Sequence, residues 1–410
     1  MKRRVLLHRR PVCRTGLLLV AIGGPLGRES SAGEFEVRGS IAAESRFFVE
    51  HAAYPGQHGT NGSVSAQPEF AWTTEDAAHT VVFTPFLRVD QGDSRRSHGD
   101  IRELSYLYAR GEWEFRAGIG REFWGVAESN HLVDIINQTD LVENLDTEDK
   151  LGQPMLKAAL SEAWGTVEAF ILPGARARTF PGKSGRLRSE PRVDTSSATW
   201  ESAAEETHVD FALRYSHTVG DLDFGLAHFH GTTREPEFHL QPNGASGPFI
   251  LAPHYALIDQ SSVDASYAWN SWMFKLEALY RTGQQESFGA MITGFEYTSV
   301  GIMDSEWDLG WLAEYHTDGR GRATLTPFNH DLFLGTRLAL NDFADTRVLA
   351  GLIADLHGEG RFFNLEASRR FGEHWTLELE TRVFWSASAP NPIGFITQDD
   401  YVQLQLNRFF

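Results

Sequence analysis

From residue 34 to the C-terminus, bulky apolar side chains recur on every second position in stretches of about ten residues, each closed by turn-forming residues. Trp113, Phe115, Ala117 and Ile119 form one such row. Trp272, Phe274, Leu276, Ala278 and Tyr280 form another, as do Trp307, Leu309, Trp311, Ala313 and Tyr315, and Trp375, Leu377, Leu379, Thr381, Val383 and Trp385. The positions between them hold Glu114, Arg116, Lys275, Glu277, Arg281, Asp308, Glu314, Glu378, Glu380 and Arg382. Side chains of a strand alternate between its two faces, so each stretch has one greasy face and one charged face. The pattern predicts about eighteen strands, 16–18 in all, over 34–48, 62–73, 80–90, 100–110, 112–120, 154–162, 165–173, 207–218, 221–230, 257–268, 271–282, 289–299, 306–316, 331–340, 345–355, 361–371, 374–385 and 399–410.

Alternation alone also suits a soluble sandwich, whose greasy faces meet each other. Length and strand ends separate the two. Tilted membrane strands need about ten residues, whereas soluble strands average about five or six. Aromatics collect at the segment ends (Trp72, Trp113, Trp269, Tyr280, Trp307, Tyr315, Trp375, Trp385), as girdles at two lipid–water boundaries require. Every second connection is short, around Glu75, Gly111, Ala163, Gly220, Asn270, Asp304, Asp342 and Gly372; the long ones, 121–153, 174–206, 231–256, 317–330 and 386–398, all fall on the other side. The expected fold is therefore all-β: a transmembrane antiparallel up-and-down β-barrel with short periplasmic turns and long extracellular loops. An even strand count returns the C-terminus beside the first strand, so no edge is left open.

Composition agrees. The 38 glycines, 28 phenylalanines and 11 tryptophans, set against five methionines, favour strands and turns over helices, and a mean hydropathy of -0.31 excludes a bundle of membrane helices. Lys2, Arg3, Arg4, Arg9, Arg10 and Arg14 precede an apolar stretch from Leu17 to Ile22 and small residues around Ser30 and Ala32, the order of a secretory leader cut after Ala32. Residues 33–410 then form a single barrel domain, sent to the outer membrane of a Gram-negative cell. The leader takes Cys13 and seven basic residues with it, leaving 30 basic against 54 acidic residues, a net −24. So acidic a chain is no partner for nucleic acid, and without cysteine it forms neither disulfides nor thiolate metal sites.

A wall of eighteen strands encloses more space than wall side chains fill, so the charged face is expected to line an aqueous pore, with Arg88, Arg116, Lys157, Arg214, Lys275, Arg281, Arg337, Arg347 and Arg382 among its linings. The third outer connection, 121–153, is partly apolar (Leu132, Val133, Ile135, Ile136) and strongly acidic. Folded inward, its Glu122, Glu128, Asp134, Asp140 and Asp146 would face the wall arginines across the pore and set up a transverse field at a constriction. The next outer connection carries Arg176, Arg178, Lys183, Arg186, Arg188 and Arg192, a run suited to anionic sugars or lipopolysaccharide phosphates. His228, His230 and His239 lie near one outer loop, and no arrangement of serine, cysteine or paired carboxylates marks an enzyme.

Two segments carry a resemblance. The terminal Tyr401–Phe410, with Val402, Leu404, Leu406 and Phe410 on one face, resembles the insertion signal of bacterial outer-membrane proteins; Arg408 departs from the aromatic usual at its position. Residues 103–155, with Phe123-Trp124-Gly125, Asp134-Ile135-Ile136-Asn137 and Gly152-Gln153-Pro154, resemble outer-membrane porin-like families, including those related to alginate-export barrels. That resemblance implies a porin for passive diffusion of small hydrophilic or charged solutes or, alternatively, a substrate-specific or polysaccharide export channel. Its partners would be outer-membrane lipids, lipopolysaccharide, the barrel assembly machinery and small polar solutes, with no cofactor and no metal. No flattened apolar side with small residues, the usual mark of a trimer contact, is identifiable, and the oligomeric state stays open.

Overall fold

The period-two rows become strands. A computed structural model describes residues 33–244, 247–321, 328–385 and 392–410; the expected leader, 1–32, lies outside the described residues. In chain order the strands are β1 (Glu34–Phe48), β2 (Thr60–Thr73), β3 (His79–Asp90), β4 (His98–Arg110), β5 (Trp113–Gly120), β6 (Gln153–Glu162), β7 (Gly165–Pro173), β8 (Thr199–Trp200), β9 (Val209–Val219), β10 (Leu222–Thr232), β11 (Glu237–Pro242), β12 (Phe249–Tyr255), β13 (Leu257–Trp269), β14 (Trp272–Thr282), β15 (Phe288–Ser299), β16 (Asp308–Asp318), β17 (His330–Ala339), β18 (Arg347–Asp355), β19 (Arg361–Phe371), β20 (Trp375–Trp385) and β21 (Tyr401–Phe409). Eighteen of these form one antiparallel sheet in which each strand pairs with the next. β21 pairs back onto β1 from Ser40↔Phe409 to Phe48↔Tyr401, closing the barrel.

The two ends of the barrel differ. At the end where β1 begins and β21 ends, residues 111–112, 220–221 and 270–271 make two-residue turns whose first members, Gly111, Gly220 and Asn270, take φ of 61°, 64° and 53°, the left-handed conformation that tight hairpins demand. The opposite end bears the long connections. Three short strands lie there outside the wall: β11 and β12 form a hairpin, and β8 adds to β12 in parallel. The alternation of Phe238 and Leu240 and the run Phe249-Ile250-Leu251 signal this hairpin, but in the sequence both are absorbed into a long outer connection.

Faces follow parity. On β16, Leu309, Trp311, Ala313 and Tyr315 point outward while Gly310, Leu312, Glu314, His316 and Asp318 point inward. Outward aromatics crowd the turn end, where Trp272 lies 4.7 Å from Tyr297 and Trp113 5.6 Å from Phe115; Phe47, Phe211, Tyr280 and Trp385 stand exposed toward the loop end. On β21, Leu404, Leu406 and Phe410 are exposed outward, and Arg408 stays on that face by laying its guanidinium over Trp375. Parity breaks once near the site. The β3–β4 register slips between Thr84 and Pro85, so Arg102 becomes the extra residue of a bulge and turns inward, although Leu104 and Tyr106 beyond it face out.

One inward position shows how tightly the lining is fitted. Arg214 on β9 and Asp264 on β13 join across the intervening β10 through two hydrogen bonds of 2.6 and 2.9 Å. Gly225 lies beneath the pair, and a Cβ there would stand 2.3 Å from Arg214 Nη2. Gly225→Val is expected to split this buried pair at a cost of about 3–5 kcal/mol. A lowered unfolding temperature of the refolded barrel checks this; an unchanged one removes the account.

Candidate functional site

Residues 121–152, between β5 and β6, fold into the barrel. Apolar residues seat one side of the segment: Trp124, Val133, Ile135 and Ile136 bury against the inward Met155, Phe170, Leu172, Ala212, Phe229 and Ile258, and Trp124 meets Phe170 edge-on at 5.9 Å. Leu132 packs farther round, against Leu279, Phe288 and Ala290. Those contacts are why an outer connection with this much apolar surface does not stay in water.

Two wall carboxylates then hold its backbone. Glu277 on β14 accepts the N–H groups of Val126 (2.6 Å), Ala127 (2.7 Å) and Val133 (3.1 Å). Glu314 on β16 accepts those of Glu128 (2.7 Å) and Ser129 (2.9 Å), and Ser129 Oγ also reaches His316 Nε2 at 2.7 Å. An irregular segment buried in a barrel has no ladder to satisfy its N–H groups, and ionised acceptors do so with bonds stronger than neutral ones.

The acids expected to face the arginines across a gap instead touch them. Glu122 lies between Lys157 (3.2 Å) and Arg116 (3.6 Å). Glu128 pairs with Arg337 and, at 3.7 Å, with Lys275. Asp140 binds Arg102 at 2.7 Å and His98 at 3.2 Å, and Asp146 binds Arg382 at 3.0 Å. Asp134 turns back into its own segment, accepting the N–H groups of Trp124 and Gly125. Opposite charges in contact in a low-dielectric interior cancel locally, so the transverse field expected from separated rows is replaced by discrete pairs.

The other wall bases are placed as follows. Arg88 bridges Glu143 (2.7 Å) and Glu44 (3.0 Å), Arg214 holds Asp264, and Arg281 holds Glu235 at 3.0 Å. Arg347 differs. As the first residue of β18 it stands exposed at the rim of the turn end, paired at 2.8 Å with Asp345 of its own turn and away from the inward-folded segment. The arginine run of the next connection is also spent internally. Arg186 pairs with Asp399 and lies over Phe48, Arg176 binds Asp100 at 2.7 Å, and Arg188 packs on Tyr54. Anchored at Asp399, this connection crosses the mouth above β1 and β21; of its run, Lys183 stays exposed and Arg192 reaches only Asp194, at 3.8 Å.

Several partners were not singled out by sequence reasoning. Arg46 and Glu44 share the inward parity of β1 and were legible there. Arg96, which binds Glu44 at 2.6 Å and Asp90 at 3.0 Å, sits in a short connection with no periodicity to mark it, and Arg102 is hidden by the bulge. His228 and His230 face outward beside Ser261 and Asp259, while His239 lies apart, 5.4 Å from His254. Among the described residues, two interior groups have the ligand types of a metal site: His98 with Asp140 and Glu143, and Asp146 with Glu366 and Glu380. Guanidinium groups already occupy the cation position in both, Arg102 and Arg88 in the first, Arg382 in the second.

Besides backbone bonds from Asp140 N–H to Asp149 O and from Leu151 N–H to Gln138 O, a side-chain tie joins the two limbs of the inward segment: His131 Nε2 to Glu148 Oε1, 2.7 Å. Burial works against the charged imidazole, but the Glu148 carboxylate, with Asp134 and Glu277 nearby, overrides it and raises the pKa from 6.5 to about 9. Because the folded value lies above the unfolded one, the tie contributes fully below pH about 6.5 and is lost as pH rises through about 9. A fluorophore on Thr147→Cys in a Cys13-free chain is expected to lose anisotropy across that upper range, with the step absent in His131→Gln. Glu277→Gln combined with Glu314→Gln should loosen the same label at every pH, each change costing about 1.5–3 kcal/mol of charge-assisted bonding. A label equally immobile in all of these variants would remove the assigned anchors.

No family model and no curated protein matches the chain. Among solved structures, a variant of a porin of Rhodopseudomonas blastica is similar to it at 11% identity and a TM-score of 0.46, over 92% of this chain and 100% of its own. A triple mutant of that porin is similar at 13% identity and a TM-score of 0.45, over the same shares.

Proposed function

We propose that this chain is a channel of the Gram-negative outer membrane through which small hydrophilic or charged solutes diffuse passively. The observation that carries the reading is the sidedness of the closed wall. Its outward rows, such as Leu213 on β9, Trp311 on β16, Leu334 on β17 and Leu404 on β21, are exposed with no second layer over them, while its inward rows are ionised. A closed sheet satisfies every backbone group without water, so lipid suits the outside and an aqueous bore the inside. The segment 121–152 narrows that bore.

Its passage lies on one side. Between the inward segment and the connection above it, near Arg46, Asp93, Arg96, Val142 and Leu187, only about 30 Å³ is open, room for roughly one water. The exposed charges Glu148, Arg337 and Glu366 stand toward β17–β19 instead. A polysaccharide exporter is less well supported, because the arginines that would draw an anionic polymer are bound to carboxylates. In this reading the leader directs export, the outward face of β21 serves insertion by the barrel assembly machinery, and lipopolysaccharide surrounds the loop end.

Planar bilayers holding the refolded residues 33–410 should show stable conductance steps, and a folded barrel without steps would end the channel reading. Leu379→Arg, on the outward face midway along β20, should cost about 2–4 kcal/mol of stability in lipid vesicles, measured by denaturant titration. A cost near zero would mean that this face does not meet lipid.

A further inference from the structure

Of the three histidines near one outer loop, two meet on the outward face of the wall. His228 and His230 stand two residues apart on β10, and Ser261 and Asp259 of β13 lie directly opposite them in the register. A hydrogen bond spans each pair, His228 Nδ1 with Ser261 Oγ at 3.0 Å and His230 Nδ1 with Asp259 Oδ1 at 2.9 Å. A third approach falls outside these pairs. With its Nδ1 held by Ser261, the His228 ring leaves Nε2 3.7 Å from Asp259 Oδ1, too far for a hydrogen bond. In the tautomer that donates Nδ1–H to Ser261, that nitrogen is an acceptor, so a lone pair faces a carboxylate across a gap.

We propose that His228, His230 and Asp259 form a binding site for a divalent transition metal ion such as Zn2+, with Ser261 orienting the first ring. Two imidazoles and a carboxylate are the protein ligands of a zinc site that keeps one coordination position open. Tetrahedral bonds of about 2.0–2.2 Å set ligand atoms about 3.3–3.5 Å apart, and the separations of 2.9 and 3.7 Å about Asp259 Oδ1 bracket that edge. The remaining edge, between the two rings, closes by rotation about their side-chain bonds, since the His228 and His230 side chains are 55% and 53% exposed. The setting favours a cation. Phe211 and Leu213 of β9 flank the histidines and Tyr280 of β14 flanks Ser261, all exposed outward, so Asp259 stands on a face otherwise given to lipid. An anion there is costly, and a neutral ring orients it without cancelling its charge. In the two interior groups a guanidinium already supplies the cation; among the described residues no arginine or lysine pairs with Asp259.

The test is a calorimetric titration of Zn2+ into the untagged, refolded residues 33–410 in detergent micelles. Saturable binding of one ion per chain is expected. It should be lost in His228→Gln/Asp259→Asn and weakened about tenfold or more in Ser261→Ala, which removes only the orienting hydroxyl. His239→Gln/His254→Gln, in the hairpin of β11 and β12, should bind as the wild type does. The substituted side chains at the site are exposed on the outward face, so the variants keep the wall; the wild-type titration stands without them. A folded wild-type barrel that takes up no zinc would overturn the site, as would uptake unchanged by His228→Gln/Asp259→Asn. Loss of uptake in His239→Gln/His254→Gln would place the ion in the hairpin and overturn it equally. Conductance is read separately, so none of these results touches the channel reading.

Discussion

Closing eighteen strands into one wall turns all of their charged faces onto one another, and a charge removed from bulk water is tolerated only when it is paired or hydrogen-bonded. The rest of the structure answers to that constraint. Arg88 stands between Glu44 and Glu143, Lys157 between Glu122 and Glu168, and Arg382 among Asp146, Glu366 and Glu380. In each group one acid comes from the inward segment and the rest from the wall, so the segment is held by the charges that the wall would otherwise leave uncompensated.

The same constraint works in reverse at Glu277 and Glu314. Here the wall supplies the anion, and the segment supplies main-chain N–H groups that no strand partner satisfies. Wall and segment are therefore complementary in two ways, by side-chain charge and by backbone polarity, with the apolar cluster around Trp124 and Ile136 as the third contact. The segment is thus fixed by three independent kinds of contact.

Most of the wall was legible in the sequence because period two is a local property: each strand of the barrel lies within a few residues of its expected range, and the even count foretold closure. The site was legible in part. Arg88, Lys157, Arg214, Arg337 and Arg382 share the parity of their charged neighbours, and the apolar content of 121–152 pointed it inward. Arg102 was not legible, because a bulge opposite Pro85 shifts its parity, and neither was Arg96, because no repeat runs through a short connection. Arg347 has the right parity, but at the rim parity no longer implies depth.

What the sequence determined by itself is therefore the two-faced strand, its length, and the ordering of short and long connections, all of which depend on neighbours one or two positions apart. Which charge meets which was decided only by the tertiary structure. Glu128 reaches Arg337 across 209 residues, and Asp146 reaches Arg382 across 236. Pairing at such separations depends on the shear of the closed sheet and on where an irregular segment comes to rest inside it. No periodicity encodes either, so a field expected across a gap became a set of direct contacts between the segment and the wall.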